Sequence, residues 1–551
     1  MRNTFKAIAV CCSLFFIAAK AQEQPNIVFV LTDDQSYNLL GCTGNEIVET
    51  PNIDKLAKEG VLFTNAHVSS AICTPSRVSI LLGQYERKHG VNFNSGTSVS
   101  DKAWEKSYPM VMRKAGYYTG WIGKNHAPIG EGGYESGLME KSFDYWYAGH
   151  GHLGFYPKAR HKIFNDAIAN TQPEVINEGV DEFLDPNARK LKGAIKFLES
   201  RPLDKPFMLS INFNLPHSAS TSTMKLKPTD DALYRTKYRD IDIPLPDNFI
   251  AKKDIKTPKL PADLLRAEDR QAGYNYSDTP EGFKERYIRQ LEAMTGIDRL
   301  VGNLRQKLKD LKINKKTIII FTSDHGLFMG EQGLGGKALC YEKTTHVPII
   351  VLDPNAKRKT RGIKSDALVQ TIDIAPTMLA LAGIDIPKEM QGKDISNLIK
   401  GGNKEVRDYT YTENLWSTHF GNPKCEAVQD KEWKYIRYYK NTNRSATQEI
   451  KTAKAMGIPV NKMLYAVHDP DIAYYRHLVE SSLQGEQPVY EELYNLKKDP
   501  NELHNLINNR EHSAVLTRLK AAWKTEIKNA RGTEKPAVFR YTNDSHPDGG
   551  H

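Results

Sequence analysis

Ionisable side chains stand at the ends of four apolar segments in this sequence. They comprise carboxylates, a lysine and histidines, namely Asp33 with Asp34, Lys124 with His126, His217, and Asp324 with His325. Near-continuous apolar segments are typical of strands buried on both faces, as in parallel sheets covered by helices. Because ligands bind beyond the carboxyl ends of such strands, these groups are predicted to meet in one active site.

The acidic members of this set favour a hard cation. Asp33, Asp34 and Asp324 supply carboxylate oxygens, which suit Ca²⁺ or Mg²⁺ and disfavour a soft-metal site. A solvated turn after a strand is the alternative for either acidic cluster taken alone. Two such clusters at neighbouring strand ends favour the metal site.

Cys73 is the candidate nucleophile. Pro75 suits the first turn of a helix, so Cys73 is predicted at a helix N-terminus, where unpaired N–H groups favour anions. A lone cysteine is otherwise commonly a small buried packing residue. Cys340 is interpreted in that second way.

The elements that position these groups alternate along the chain. The predicted strands are 27–31, 117–122, 207–213, 317–321 and 347–352, and helical patterns occupy 53–59, 190–198 and 287–311. Strands that alternate with helices predict an α/β fold with a largely parallel sheet.

Three further segments differ in character. Residues 218–282 show little periodicity and are predicted to be a surface insertion that shapes a pocket, within a catalytic domain spanning 22–404. Residues 405–531 are predicted to form a smaller α+β subdomain, with a strand at 433–439 and an amphipathic helix at 513–527. The polar tail, 532–551, is predicted to be loose.

The first 21 residues are typical of a secretory signal peptide. Arg2 and Lys6 precede an apolar run, and Ala19-Lys20-Ala21 resembles a cleavage site, which predicts export to the periplasm. Lipidation at Cys11 or Cys12 is the second interpretation. No later apolar run reaches the roughly 18 residues of a membrane span.

Composition excludes several classes of protein. Six cysteines in 551 residues, two of them in the predicted leader, do not form a disulfide framework, and no C-x-x-C pair suggests zinc. A net charge of +10 on a chain of this size does not by itself indicate nucleic-acid binding.

The segment around Cys73 also carries a family resemblance. Cys73-x-Pro75-x-Arg77 resembles the signature of the type I sulfatases, in which the cysteine is oxidised to formylglycine by a maturation enzyme. Other segments that resemble the family, in order along most of the chain, are 26–28, 33–34, 50–57, 123–126, 323–326, Lys337, 347–348, 373–377 and 492–496. The resemblance implies an alkaline-phosphatase-like sulfatase fold with a small C-terminal subdomain.

The resemblance also implies roles for individual residues. Formylglycine from Cys73 would be hydrated to a gem-diol, one hydroxyl attacking sulfur and the other later releasing sulfate as the aldehyde reforms. The implied metal is calcium, with magnesium as the alternative, and its implied ligands are Asp33, Asp34, Cys73, Asp324 and His325. In many family members asparagine stands in place of His325, and a nitrogen ligand is less usual for calcium.

The remaining implied roles concern proton transfer and anion binding. Asp324 is a base for the attacking hydroxyl, and Arg77 with Lys124 would hold the formylglycine. His126 would assist elimination of sulfate. His217, with Lys337, would contact the sulfate and the bridging oxygen, and His217 is the candidate general acid, because sugar alkoxides are poor leaving groups.

Other residues are candidates for contact with a sugar, although an ordinary surface role is the alternative for each. They are His150, His152, Arg160, His161, Arg235, Arg239, Trp416 and His419. The predicted function is hydrolysis of sulfate esters on carbohydrates, with sulfated galactose or N-acetylgalactosamine as the favoured sugar. The alternatives are a phosphonate or phosphodiester hydrolase of the same superfamily and a catalytically silent glycan-binding protein.

Overall fold

The computed structural model describes residues 24–92, 97–150, 192–217, 236–261, 264, 277–402, 405–415, 423–439, 481–533 and 538–540. The predicted leader, 1–21, lies outside these ranges. Across the part of the chain that is described, no helix combines the length and apolar character needed to cross a membrane.

The strands, in chain order, are β1 Asn26–Asp33, β2 Val61–Phe63, β3 Ala66–His67, β4 Thr97–Val99, β5 Tyr118–Asn125, β6 Tyr145–His150, β7 Phe207–Pro216, β8 Thr317–Ser323, β9 Phe328–Met329, β10 Gly335–Gly336, β11 Ile349–Leu352, β12 Ile363–Ser365, β13 Val369–Gln370, β14 Thr410–Asn414, β15 Cys425–Gln429, β16 Trp433–Tyr438, β17 Tyr490–Asn495 and β18 Val538–Arg540.

The α-helices are α1 Pro51–Glu59, α2 Cys73–Leu82, α3 Glu86–His89, α4 Asp101–Trp104, α5 Tyr108–Lys114, α6 Leu138–Lys141, α7 Lys192–Ser200, α8 Pro280–Asp310, α9 Glu342–Thr345, α10 Ile374–Leu381, α11 Ser396–Ile399 and α12 Ser513–Arg531.

Eight strands form the main sheet in the order β12-β2-β11-β8-β1-β7-β5-β6. β1 is central and pairs in parallel with both β7 and β8. This arrangement confirms the predicted α/β fold with a largely parallel sheet. It also places the ends of β1, β5, β7 and β8 on one edge, because these four strands run in the same direction.

β11 differs from its neighbours in direction. The sequence predicts a strand at 347–352 within a largely parallel sheet, and this strand pairs antiparallel with both β8 and β2. The connection from β8 to β11, residues 324–348, contains the short strands β9 and β10 and the short helix α9, but no long helix of the kind that usually joins parallel strands. The chain therefore passes through the site edge and returns in the opposite direction.

The central strand is buried on both faces, as its apolar sequence predicts. Val28 and Val30 pack with Met294 of α8 on one face. Phe29 packs with Val78 of α2 on the other. Two helical layers thus fix β1 in place.

A separate antiparallel sheet, β14-β15-β16-β17, forms the C-terminal domain. One face packs on α12 through Leu519 and Trp523. The opposite face packs Cys425 and Tyr438 against Cys340. Because Cys340 lies three residues after Lys337, this small domain supports a segment of the predicted site.

Two boundaries differ from the sequence interpretation. The last residues of the predicted insertion, 280–282, begin α8, since the Thr279 hydroxyl accepts a hydrogen bond from the Gly282 N–H at 3.1 Å. Within the predicted tail, β18 pairs antiparallel with β4. The Thr279 cap explains why α8 begins earlier than the apolar periodicity suggests. Pairing with β4, a distant strand, explains the strand within the polar tail.

The C-terminal sheet should depend on apolar contacts with α12. Replacing Leu519, which is fully buried, with alanine should lower the free energy of unfolding by about 2–5 kcal/mol through lost burial and cavity formation. The exposed neighbour Lys524 provides the matched control, and Lys524→Ala should change it by less than about 0.5 kcal/mol. Urea denaturation followed by far-UV circular dichroism measures both, and equal effects would contradict the packing assignment.

Candidate active site

The carboxyl edge of the main sheet gathers the predicted chemical groups. Asp33 is the last residue of β1, Lys124 lies at the end of β5, and His217 follows β7. Asp324 and His325 follow β8, which is the neighbour of β1 on the side opposite β7. These side chains are buried, so their charges must compensate one another inside the protein.

Cys73 begins α2 and points into this cluster. Its Sγ lies 3.0 Å from Lys337 Nζ, 3.2 Å from His325 Nε2 and 3.8 Å from Asp33 Oδ1. The sulfur therefore sits between two cationic or donor groups and a carboxylate. A nucleophile placed here at the start of a helix faces a site suited to an anion.

Arg77 lies one helical turn after Cys73 and connects two strand ends. Its Nε donates to Asp324 Oδ2 at 2.8 Å and its Nη2 donates to Asp33 Oδ2 at 3.0 Å. Burial opposes ionisation of Asp33, but the charges of Lys124 and Arg77 outweigh it and hold the pKa of Asp33 well below its usual value. Asp33 thus remains a carboxylate.

Asp34 occupies a left-handed backbone conformation with φ of 61°. Its N–H donates to Asp324 Oδ1 at 3.3 Å, and its Oδ1 lies 2.8 Å from Lys337 Nζ and 3.3 Å from His325 Nδ1. Burial raises the pKa of Asp34, and the charges of Lys337 and His325 offset this only in part. Further positive charge at this carboxylate would be favourable.

Two of the histidines at this edge have pKa values shifted in opposite directions. Burial lowers the pKa of His325, but Asp324 and Cys73 outweigh it and raise the value to about 9. Burial and the charge of Lys337 hold the pKa of His217 well below its usual value. His217 Nε2 lies 3.6 Å from Asp34 Oδ2, next to the same carboxylate as Lys337.

β5 delivers Lys124 to Asp33, with which its ammonium forms a close ion pair. Gly123 precedes it at a φ of 93°, and a Cβ there would lie 2.0 Å from the carbonyl oxygen of Asn212. Glycine is therefore required for β5 to approach β7. His126 follows, and its ring stacks on Tyr134 with centroids 6.3 Å apart.

The ligand atoms at this edge suit the hard divalent cation that the sequence suggests. Asp34 Oδ2 is buried and accepts no hydrogen bond from the described residues. Ligand atoms of Asp33, Asp34, Cys73 and His325 lie within 4.8 Å of one another. A buried carboxylate oxygen without a donor, beside other oxygen ligands, fits Ca²⁺ or Mg²⁺.

Only some of the residues predicted to contact a sugar lie within the described part of the chain. The guanidinium of Arg239 pairs with Glu285 at 2.9 Å and Glu292 at 3.2 Å, both on α8, and so is engaged by acidic side chains. His150 ends β6, but its side chain is outside the description. His152, Arg160, His161, Arg235, Trp416 and His419 lie outside the described residues.

Several supporting residues were not predicted from the sequence. The Ser76 hydroxyl donates to the Asp324 carbonyl oxygen at 2.6 Å, and the Gln35 N–H donates to Ser323 Oγ at 3.1 Å. The Ala338 N–H donates to the Ala71 carbonyl oxygen at 2.9 Å, which ties the Lys337 segment to the chain before Cys73. These contacts have no local sequence pattern, although Ser76 lies inside the signature.

Comparison with known proteins identifies the class. A family profile described as Sulfatase matches residues 25–384, and one described as N-sulphoglucosamine sulphohydrolase, C-terminal, matches residues 330–454. The chain belongs to the sulfatase family, and its enzymatic class is that of the sulfuric ester hydrolases.

Individual relatives span nearly the whole chain. It is 27% identical to an arylsulfatase of Clostridium perfringens, over 93% of this chain and 95% of the relative. It is 24% identical to an N-acetylglucosamine-6-O-sulfatase of Bacteroides thetaiotaomicron, over 89% and 84%. The solved structure of BT4656 with its substrate D-glucosamine-2-N,6-O-disulfate has a TM-score of 0.61 at 20% identity, covering 93% of this chain and 99% of BT4656.

Removing Arg77 should destabilise the folded protein, because two buried carboxylates would lose a cationic partner. Arg77→Met leaves Asp33 and Asp324 without their shared partner and should lower the free energy of unfolding by about 3–5 kcal/mol. Lys114→Met removes a solvent-exposed pair with Glu105 and should cost about 0–1 kcal/mol. Urea denaturation of both variants in the same buffer decides the matter, and a small effect for Arg77→Met would argue against its central role.

Proposed function

We propose that this protein hydrolyses sulfate esters of carbohydrates, using formylglycine derived from Cys73 and a calcium ion. The observation that carries the proposal is the position of Cys73 Sγ, 3.0 Å from Lys337 Nζ and 3.2 Å from His325 Nε2, beside buried carboxylates. A formylglycine-generating enzyme would have to oxidise Cys73 before the protein became active.

Asp33, Asp34, Asp324 and His325 would hold the calcium. The carboxylate oxygens of the three aspartates suit this ion, and the ion would supply positive charge opposite the sulfate oxygens. The three carboxylates are already balanced by Arg77, Lys124 and Lys337. A divalent cation together with a sulfate monoester would therefore leave the site with net positive charge, which favours binding of the anion.

Formylglycine in its hydrated form supplies one hydroxyl that attacks sulfur and a second that releases the sulfate. Arg77 and Lys124 would orient this side chain from their positions at Asp33 and Asp324. Asp324 would accept the proton of the attacking hydroxyl. His126, held against Tyr134, would accept a proton during release.

His217 would protonate the departing sugar oxygen, and Lys337 would contact the sulfate. Both lie at Asp34, at 3.6 Å for His217 Nε2 and 2.8 Å for Lys337 Nζ. A bound anion would offset the charge of Lys337 and favour the protonated form of His217. Protonation of an alkoxide leaving group is worth about 10²- to 10⁴-fold in rate.

The proposed substrate class is a sulfated glycan fragment met after export to the periplasm. Sulfated galactose or N-acetylgalactosamine remains our predicted sugar. The names of the relatives point to another candidate, N-acetylglucosamine 6-sulfate.

Desulfation of a panel of sulfated mono- and disaccharides tests the function. The protein should be coexpressed with a formylglycine-generating enzyme, with conversion of Cys73 checked by mass spectrometry and Cys73→Ala as control. We expect sulfate release from one regioisomer, abolished in the control. Faster turnover of matched phosphonate or phosphate diesters would favour the superfamily alternative, and sugar binding without turnover would favour a silent glycan-binding protein.

The role of His217 predicts a dependence on the leaving group. His217→Ala should slow hydrolysis of a sugar sulfate by about 10²- to 10⁴-fold but affect an activated aryl sulfate far less, because a phenolate leaves without a proton. His126→Ala is the matched control and should slow both substrates alike, since it acts after the leaving group departs. Equal losses on both substrates for His217→Ala would rule out the general-acid assignment.

Calcium should stabilise the folded chain. With the ion at 100 times its Kd, the free energy of unfolding should rise by about 2.7 kcal/mol relative to chelated protein. Asp34→Asn should abolish most of this difference, because it removes a ligand charge. Thermal denaturation with EDTA and then excess calcium measures it, and an unchanged Tm in the wild-type chain would contradict a calcium site.

A further inference from the structure

A second cluster of potential ligands lies outside the active site. It is formed by His67 of β3 and by Glu342 and His346 at the two ends of α9, and their ligand atoms lie within 4.8 Å of one another. We call these three residues the α9 cluster. None of them was singled out by the sequence or has a role in sulfate ester hydrolysis.

The three side chains converge on one carboxylate oxygen. Glu342 Oε2 lies 3.2 Å from His67 Nε2 and 3.5 Å from His346 Nδ1. The side-chain amide of Gln429, on β15, lies 2.9 Å from the same nitrogen of His67. Four ligands about 2.0–2.1 Å from a tetrahedral zinc ion are separated by roughly 3.3 Å, which matches this spacing.

Both ring nitrogens of His346 face oxygen acceptors, but a neutral imidazole can donate only one hydrogen bond. Its Nε2 lies 3.0 Å from the Thr64 carbonyl oxygen, and its Nδ1 faces Glu342 Oε2. A neutral imidazole carries one N–H, so one of these nitrogens presents a lone pair to an oxygen.

His67 presents a related conflict. Its Nε2 is close both to the carboxylate of Glu342 and to the amide nitrogen of Gln429, which is a donor. Turning the Gln429 amide over places its oxygen at this nitrogen. Two imidazole nitrogens, a carboxylate oxygen and this amide oxygen then surround one position, which is a ligand set for a single cation.

The local charge also accommodates a cation. Lys434 Nζ lies 2.7 Å from Glu342 Oε1 and 3.0 Å from Glu502 Oε1. Two carboxylates therefore face one ammonium, and ionisation of both leaves one negative charge. Lys434 binds the other oxygen of Glu342, so Oε2 stays available to a metal.

The α9 cluster is bordered by an aromatic ring and by a cavity. The ring of Tyr37 stacks on His346 with centroids 3.9 Å apart. Glu342, His346 and Glu502 line a cavity of about 390 Å³, whereas His67 is buried and does not line it.

We propose that His67, Glu342 and His346, with Gln429, bind a second metal ion of the zinc type. Two imidazoles with a carboxylate favour Zn²⁺ or a related transition metal, whereas the active site is dominated by hard carboxylates. The ion joins β3, α9 and β15, and so fastens the C-terminal sheet to the catalytic domain. Its role is structural.

Cobalt spectroscopy tests the proposal on the full chain. A Cys73→Ala background with excess calcium removes the soft ligand of the active site and fills its hard one. We expect one equivalent of Co²⁺ to bind with visible ligand-field bands, to be displaced by Zn²⁺, and to bind at least about 100-fold more weakly in His67→Gln and His346→Gln variants.

Two control variants locate the binding. His504→Gln alters an exposed histidine paired with Asp499 and should leave binding unchanged. A double variant, His150→Gln with His152→Gln, tests whether these two histidines bind the cobalt instead. Loss of binding in the double variant but not in the His67→Gln and His346→Gln variants would overturn the proposal.

A second measurement needs no substitution in the cluster. Zn²⁺ added at constant calcium should raise the Tm of the Cys73→Ala protein. No rise in Tm together with no cobalt bands would refute the site, even if the His67 and His346 variants failed to fold.

Discussion

Three carboxylates are buried around Cys73, and the rest of the site depends on their compensation by cationic side chains. Arg77 binds Asp33 and Asp324 together, Lys124 binds Asp33, and Lys337 binds Asp34. Because an unpaired buried charge is costly, no member of this network can move independently. The network fixes Cys73, the proposed metal ligands and the cationic side chains relative to one another.

The main sheet supplies the geometry that this compensation requires. Parallel pairing of β1 with β7 and β8 brings three strand ends within reach of α2, and both faces of β1 are held by helical layers. Rigid elements of this kind position catalytic groups more precisely than loops do. Because the side chains are already in place, binding of a sulfate ester as proposed would require little reorganisation of the protein.

The C-terminal sheet contributes to the same site indirectly. Cys340 packs against Cys425 of β15 with their sulfur atoms 3.5 Å apart, and the nearby Ala338 is tied to Ala71. Lys337 is therefore held from two sides, by the small domain and by the segment that precedes the nucleophile. The α9 cluster lies in this same junction, where one end of α9 contacts β3 and the C-terminal sheet. Contacts between the C-terminal sheet and the catalytic domain therefore help to position the Lys337 ammonium group.

The sequence by itself determined the fold class, the start of α2 at Cys73 and the gathering of ionisable groups at one sheet edge. These properties follow from the apolar character of short segments and from the residues that directly succeed them. Only the tertiary structure decided the direction of β11, the pairing of Lys337 with Asp34, the stacking of His126 on Tyr134 and the meeting of His67 with Glu342. Such partners lie far apart along the chain or follow one another without a periodic pattern, and their choice depends on distances that exist only after the layers have packed.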